Sequence, residues 1–237
     1  PLSQISSELN AVLIAQTATL TGALDAQTEL ITTKLEEQTS LIKEKLGSDT
    51  KVVLLDVRAT LDGRGPSLAL IRQVSETCFV PLVYGGAVRT VEHAGACIEA
   101  GAERVVVSTN AVWSDLIEKI AERFGCNAVT VAVDFKGMFV YVDSGTARLS
   151  LNAMEWAAIA VQRGAGEILL QSIDRDGTMI GYDLDAIRAV RAAVPDVRLI
   201  ASGGCSGYAD MALAFDAGAD ACAAGALWSF TDATPAG

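Results

Sequence analysis

The feature that most constrains this chain is an internal repeat. V-Y-G-G, a helical segment, A-G-A-E, an apolar strand and A-V-W run from Val83 to Trp113. The same order returns as A-S-G-G, a helix, A-G-A-D, a strand and A-L-W from Ala201 to Trp228, at an offset of 115–118 residues. Upstream, an Asp-bearing strand followed by an I-R helix repeats at a similar offset, with Asp56, Ile71 and Arg72 matched by Asp174, Ile187 and Arg188. A chain built of two such halves closes most simply as a pseudo-twofold barrel, which sends functional residues to the C-terminal ends of its strands.

The strand and helix pattern agrees with this. Apolar, β-branched runs occur at 52–57, 79–84, 104–108, 128–133, 167–172, 197–201 and 219–224. Segments with helical spacing lie between them, at 67–76, 91–100, 111–124, 153–163, 184–194 and 208–217. Repeated strand–helix alternation means parallel strands joined by helical crossovers, and near-continuous apolar strands suit a sheet covered on both faces. Seven strands are one short of an eight-stranded barrel. The expected fold is therefore α/β, a (βα)8 TIM-type barrel with a half-barrel repeat, spanning 48–237 and lacking a recognisable first strand and last helix.

Residues 1–47 read differently. Leu2, Ile5, Leu9, Leu13, Gln16, Leu20 and onward to Leu46 form a stripe with steps of 3, 4 and 4, an eleven-residue period with Gln16, Gln27 and Gln38 in equivalent places. That spacing is about 3.67 residues per turn and predicts a long amphipathic helix with a right-handed drift. At roughly 65–70 Å it would outreach one small domain. Three readings stand side by side: a helix lying on its own barrel, a homo-oligomeric coiled coil whose Gln positions fix register, and an altered first strand at 10–16 (N-A-V-L-I-A-Q) followed by a helix over 25–46.

Composition narrows the function classes. With 29 acids against 18 bases and a net charge of −11, a phosphate-backbone-binding surface is not expected, so nucleic acid is set aside. The absence of an 18-residue apolar run sets aside a membrane span. Five Cys without a C-x-x-C spacing indicate packed thiols in a reducing, cytoplasmic setting. One His, His93, leaves a triad or a His-rich metal site little to work with, and neither a metal nor a cofactor is expected. It is read as an outer-surface residue of the helix after Gly86.

Candidate chemistry sits where strands end. Gly85-Gly86 and Gly203-Gly204 follow matched strands, and each is succeeded by a second small-residue loop: Ser108-Thr109-Asn110 in one half, Ala223-Ala224-Gly225 in the other. Glycine lets a phosphate oxygen approach backbone N–H groups, so two such cradles across a mouth suit a substrate with a phosphate at each end. Barrel loops also use glycine simply to turn tightly. Asp134 ends the strand A-V-T-V-A-V-D, with its carboxylate expected in the mouth as a general acid or base, or else paired with Lys136. Asp174, Arg175 and Asp176 in S-I-D-R-D-G-T form a second charged cluster behind Ser172. Cys205, with no base in its vicinity along the chain, is read as structural.

The stretches G-A-G-E-I-L-L-Q-S-I-D-R-D-G-T-M-I-G-Y-D-L, V-P-L-V-Y-G-G-A-V-R-T, I-A-E-R-F-G and I-A-S-G-G together resemble the cyclase subunit of imidazole glycerol phosphate synthase, over about residues 51–230. The resemblance implies a ribulose-phosphate-binding-type (βα)8 barrel. It also implies a lyase that uses ammonia from a glutaminase partner on a bis-phosphorylated ribulosyl aminoimidazole carboxamide nucleotide, as in histidine biosynthesis. R-G-P-S-L-A-L-I-R-Q-V with C-F-V-P-L-V-Y-G-G is similar to the branch found with surface-glycan genes, which implies sugar amidination with an amidotransferase subunit. On the family pattern, Asp134 matches the catalytic carboxylate of strand five. Gly85, Gly86 and Thr109 match one phosphate site, and Gly203, Gly204 and Gly225 the other, with Ser108 and Ala224 beside them read as further phosphate-binding residues. Asp176 matches the acidic residue of the sixth loop, and Ser172 and Asp174 are read with it as substrate-binding. Two departures bear on activity: nothing like the family's C-L-D-V-K-D-G first strand, with its second catalytic Asp, is present, and Gln16 falls near that place. Ala87 replaces a glycine of the usual G-G-G-I-R-T. A catalytically silent barrel displayed on an oligomerising helix is the alternative from another class.

Overall fold

In a computed structural model of the chain, the structure describes residues 51–78 and 80–227. The expected N-terminal helix, its coiled-coil pairing, the alternative strand at 10–16 and the end of the chain at 228–237 lie outside the described residues.

Seven parallel strands form one curved ribbon in the order β1 (Val52–Leu55), β2 (Leu82–Gly85), β3 (Arg104–Val107), β4 (Val129–Lys136), β7 (Glu167–Ser172), β8 (Arg198–Ser202) and β9 (Ala221–Ala223). A hairpin of β5 (Phe139–Val142) and β6 (Ala147–Asn152) is inserted after β4. Among the described residues β1 pairs only with β2 and β9 only with β8, so the nearly closed barrel shows a seam between them. All seven strands fall within a few residues of the runs read from sequence.

Strand alternation sorts the side chains into two cores. Val83, Val106, Ala132, Leu169 and Ile200, with Val53, Ala221 and Ala223 packed on them, fill the barrel interior. The residues between them along each strand, such as Tyr84, Val105, Val107, Val131, Val133, Ile168, Leu170 and Leu199, join the larger core under the helices. This two-sided burial is why the strands read as continuous apolar runs rather than alternating ones.

Each helix presents one apolar stripe to that outer core. α2 (Leu68–Thr77) buries Ile71 and Val74, and its repeat partner α7 (Leu184–Ala193) buries Ile187 and Val190. α3 (Val91–Glu99), which follows the first glycine pair, and α8 (Tyr208–Asp216), which follows the second, occupy equivalent places. α6 (Ala153–Gln162) starts at a capping box, in which Asn152 and Glu155 satisfy each other's backbone N–H groups at 2.8 and 2.9 Å. The single helix expected over 111–124 is two: α4 (Thr109–Trp113) and α5 (Leu116–Phe124). Ser114 between them is extended, and its hydroxyl turns back to the Asn110 carbonyl at 2.7 Å. A short helix, α1 (Val57–Leu61), also follows β1 and begins at Val57, the last residue of the strand expected at 52–57.

At the N-terminal end of the barrel, Glu167 is fully buried on β7. Thr130 Oγ1 donates to its Oε1 at 2.8 Å, and Lys51 Nζ stands 3.6 Å from its Oε2. No helix among the described residues is long and apolar enough to cross a membrane.

Candidate functional site

The C-terminal ends of β3, β4 and β7 bring the chemistry together. Thr130 and Ala132 place every second residue of β4 on the barrel's inner face, so Asp134 comes last on that face before the strand leaves the barrel. Its carboxylate is half-buried, and Ser108 Oγ donates to its Oδ2 at 3.2 Å from the end of neighbouring β3. Burial pushes the Asp134 carboxyl up to about 6, the Ser108 hydrogen bond pulls the other way, and the charge of Asp176 adds a smaller upward push. A carboxyl near neutrality exchanges protons in either direction, which is what a general acid or base requires.

Lys136 does not neutralise Asp134. It follows on the exposed end of β4 and pairs with Asp174 at 3.4 Å, correcting the alternative read from sequence. Asp174 also accepts the Gly137 N–H at 3.1 Å, so it ties the hairpin's start to the loop after β7. Asp176 is exposed in that loop. Ser172 is buried and falls on the same side of β7 as Ile168 and Leu170, toward the helices. Gln171 shares the inner side with Leu169 and lies opposite Asp134 in the β4–β7 register, and Ser202 is its neighbour on β8. Sequence reasoning missed Gln171 and Ser202. Counting alternate residues from interior Leu169 on β7 and interior Ile200 on β8 finds both.

The two glycine pairs sit at matching places in the repeat, Gly85 closing β2 and Gly203 directly following β8, and packing alone accounts for their lack of side chains. A Cβ on Gly85 would lie 2.7 Å from Leu55 and 2.9 Å from Val106, and one on Gly86 2.7 Å from Asp56. Gly203 (φ +90°) and Gly204 (φ +98°) adopt left-handed backbone, and a side chain on Gly204 would run into the Gly181 carbonyl oxygen. Gly204 in turn accepts the Gly181 N–H at 2.7 Å. Gly225 differs: it is exposed, and a Cβ there meets nothing within 4 Å. Ala224 beside it packs against the outer core, and the Ala223 carbonyl accepts the Tyr182 hydroxyl at 2.9 Å. Thr109 Oγ1 accepts the Asp143 N–H at 2.8 Å, which leaves its hydroxyl hydrogen as a donor.

Ala87, which stands where the family pattern has glycine, takes a left-handed φ of +50°. His93 Nδ1 lies 3.2 Å from the Ala87 carbonyl oxygen, so His93 is a half-buried brace for this turn and not the outer-surface residue expected. Cys205 is buried, with its Sγ 3.6 Å from the Gly207 carbonyl oxygen. Cys97 and Cys222 are pushed up to about 12 and about 11 by burial, as packed thiols are. Among the described residues no group of three or more His, Cys, Asp or Glu side chains is arranged to hold a metal ion.

Comparison with known proteins bears on this geometry directly. The family model described as histidine biosynthesis protein matches residues 22–232. The chain is 44% identical over 168 residues to imidazole glycerol phosphate synthase subunit HisF of Cutibacterium acnes, covering 68% of this chain and 66% of that one. To the protein of the same name in Streptomyces coelicolor it is 42% identical over 188 residues, covering 77% and 74%. To that of Exiguobacterium sibiricum it is 40% identical over 183 residues, covering 75% and 73%. The chain thus spans about two thirds to three quarters of the length of these relatives. The matched span takes in every described strand of the barrel and both halves of its repeat, and on it the chain belongs to the histidine biosynthesis protein family.

Proposed function

We propose that the barrel is a cyclase-type lyase of the imidazole glycerol phosphate synthase kind. Its substrate would be a doubly phosphorylated ribulosyl aminoimidazole carboxamide nucleotide, and a glutaminase subunit would supply the ammonia. The observation that carries the reading is Asp134, a half-buried carboxyl at the barrel mouth held near pH 6 by its surroundings. The relatives' shared name, imidazole glycerol phosphate synthase subunit, supports that product and the presence of a second subunit. Asp134 is the proton-transferring group. The loops at Thr109 and Gly225 lie in the two halves of the repeat, which suits a ligand with a phosphate at each end.

One observation favours a second reading. Inner-face positions nearest the mouth are Leu55, Gly85, Ser108, Asp134, Gln171, Ser202 and Ala223, so among the described residues this ring holds a single carboxylate. The charge that pushes the Asp134 carboxyl upward comes from Asp176, which is exposed in the loop after β7 and outside that ring. A paralogue of altered chemistry, such as amidination of a surface-glycan sugar, or a barrel that binds without turning over, fits that ring as well.

The test incubates the full chain with the bis-phosphorylated nucleotide and an ammonium salt, and follows imidazole glycerol phosphate formation. Turnover that falls by about two to four powers of ten in Asp134→Asn, with ligand binding retained, is the expected result. Tight binding without any turnover in the unaltered chain would overturn the cyclase and leave the second reading.

A further inference from the structure

We propose that Ser108 is a positioning residue for Asp134: its hydroxyl holds one carboxylate oxygen and thereby turns the other toward the mouth. This rests on reading Asp134 as the proton-transferring group.

Two observations point the same way. Ser108 occupies the N-cap of α4, a position where a serine side chain ordinarily accepts a hydrogen bond from a backbone N–H of the first turn. Here that cap bond is absent. The hydroxyl goes instead to Asp134 Oδ2 at 3.2 Å. An ionised carboxylate only accepts, so Ser108 is the donor. The two side chains come from adjacent parallel strands that leave the barrel at different heights. β3 pairs with β4 through Val106↔Thr130 and Val107↔Val131, a register that sets Ser108 beside Ala132, two residues short of Asp134, so its hydroxyl reaches the carboxylate diagonally. Both are half-buried, where a hydrogen bond to a charged group is worth more than at the surface. With Oδ2 fixed, the carboxyl group has one rotamer and one oxygen left for proton exchange. The Ser108 hydroxyl is then committed to Asp134, and any anion bound at this loop is held by other groups.

The experiment compares the full chain with Ser108→Ala and Ser108→Thr in two readouts. The first is the titration of the Asp134 carboxyl by carbon NMR, identified by its loss in Asp134→Asn. The second is the pH profile of turnover of the bis-phosphorylated nucleotide with ammonium. In Ser108→Ala the titration moves to higher pH, because the donor that favours the ionised form is gone, and kcat falls roughly tenfold while KM stays within about twofold. Ser108→Thr restores both. An Asp134 titration that Ser108→Ala leaves in place overturns the proposal, and a raised KM alongside it assigns Ser108 to ligand binding. Where no variant and no unaltered chain turns over, it is the cyclase reading that fails, and the titration alone then decides the role of Ser108.

Discussion

The Asp143 backbone N–H donates to Thr109 Oγ1 at 2.8 Å, joining the tip of the inserted hairpin to the first residue of α4, 34 positions earlier in the chain. The tip needs such an anchor. Asp143 and Ser144 take left-handed backbone at φ +52° and +57°, a conformation that non-glycine residues resist, and Thr146 bonds back to the Asp143 carbonyl at 2.7 Å. A loop of the candidate site is thereby held by an element the barrel does not require. Thr109→Val keeps the shape and removes the acceptor. It is expected to cost about 1 kcal/mol and to speed hydrogen exchange at the Asp143 amide, while Thr109→Ser leaves exchange unchanged. Equal protection in all three proteins would show that the hairpin is held elsewhere.

The raised pKa of Asp134 makes stability depend on pH in a defined direction. Its ordinary value is 3.8 and its folded value about 6, so between those limits the folded state binds more protons than the unfolded one. Stability therefore falls as pH rises through that window, and the folded state carries the cost of a desolvated carboxylate above it. Asp134→Asn is expected to stabilise the protein at pH 7 by up to about 2–3 kcal/mol and to make no comparable difference below pH 4. Denaturant melts at pH 4 and pH 7 check this. The same group predicts an acid limb near pH 6 in the rate profile wherever its ionised form is the working one.

Glu167 and Lys51 are a different case, because their pairing is structural. Glu167 is fully buried and the Lys51 side chain is 18% exposed, with 3.6 Å between the charged atoms. Removing one partner strands the other, so Glu167→Ala is expected to cost about 3–5 kcal/mol. Replacing both residues with apolar ones of similar size should recover most of the loss. A urea denaturation series on the two variants separates pairing from simple cavity formation.

What was legible in the sequence is tied to periodicity. The repeat placed Gly85-Gly86 and Gly203-Gly204 after equivalent strands, and the apolar runs placed β7 to the residue. Asp134 was legible as the last inner residue of its strand, since a charged side chain ending an apolar run has only the mouth in which to stay wet. The hairpin falls in the gap between the strand expected at 128–133 and the helix expected at 153–163, although F-V-Y-V-D-S-G-T-A-R-L-S-L carries alternation around a D-S-G turn. The Lys136–Asp174 pair could not be read, because it joins residues 38 apart whose approach depends on how the hairpin folds over the loop after β7. The reason for the glycines was equally hidden. Phosphate approach and close strand packing both select glycine, and only the neighbouring atoms distinguish them.

That distinction decides how the phosphate reading should be tested. At Gly204 a bulky residue collides with the Gly181 carbonyl and also needs a φ of +98°, so Gly204→Val is expected to destabilise the loop whether or not phosphate binds there. Gly225 has none of these constraints: its Cβ would enter open space and its backbone is not left-handed. Gly225→Val should therefore melt like the unaltered protein, to within about 0.5 kcal/mol. If the loop after β9 holds a phosphate through its backbone, the added side chain occupies the approach. Affinity for a bis-phosphate should then fall toward that of a monophosphate, because the second contact is what makes the pair tighter than either alone. Calorimetric titration of a bis-phosphate and a monophosphate against both proteins reads the result. Unchanged preference for the bis-phosphate in Gly225→Val would remove the loop after β9 from the site.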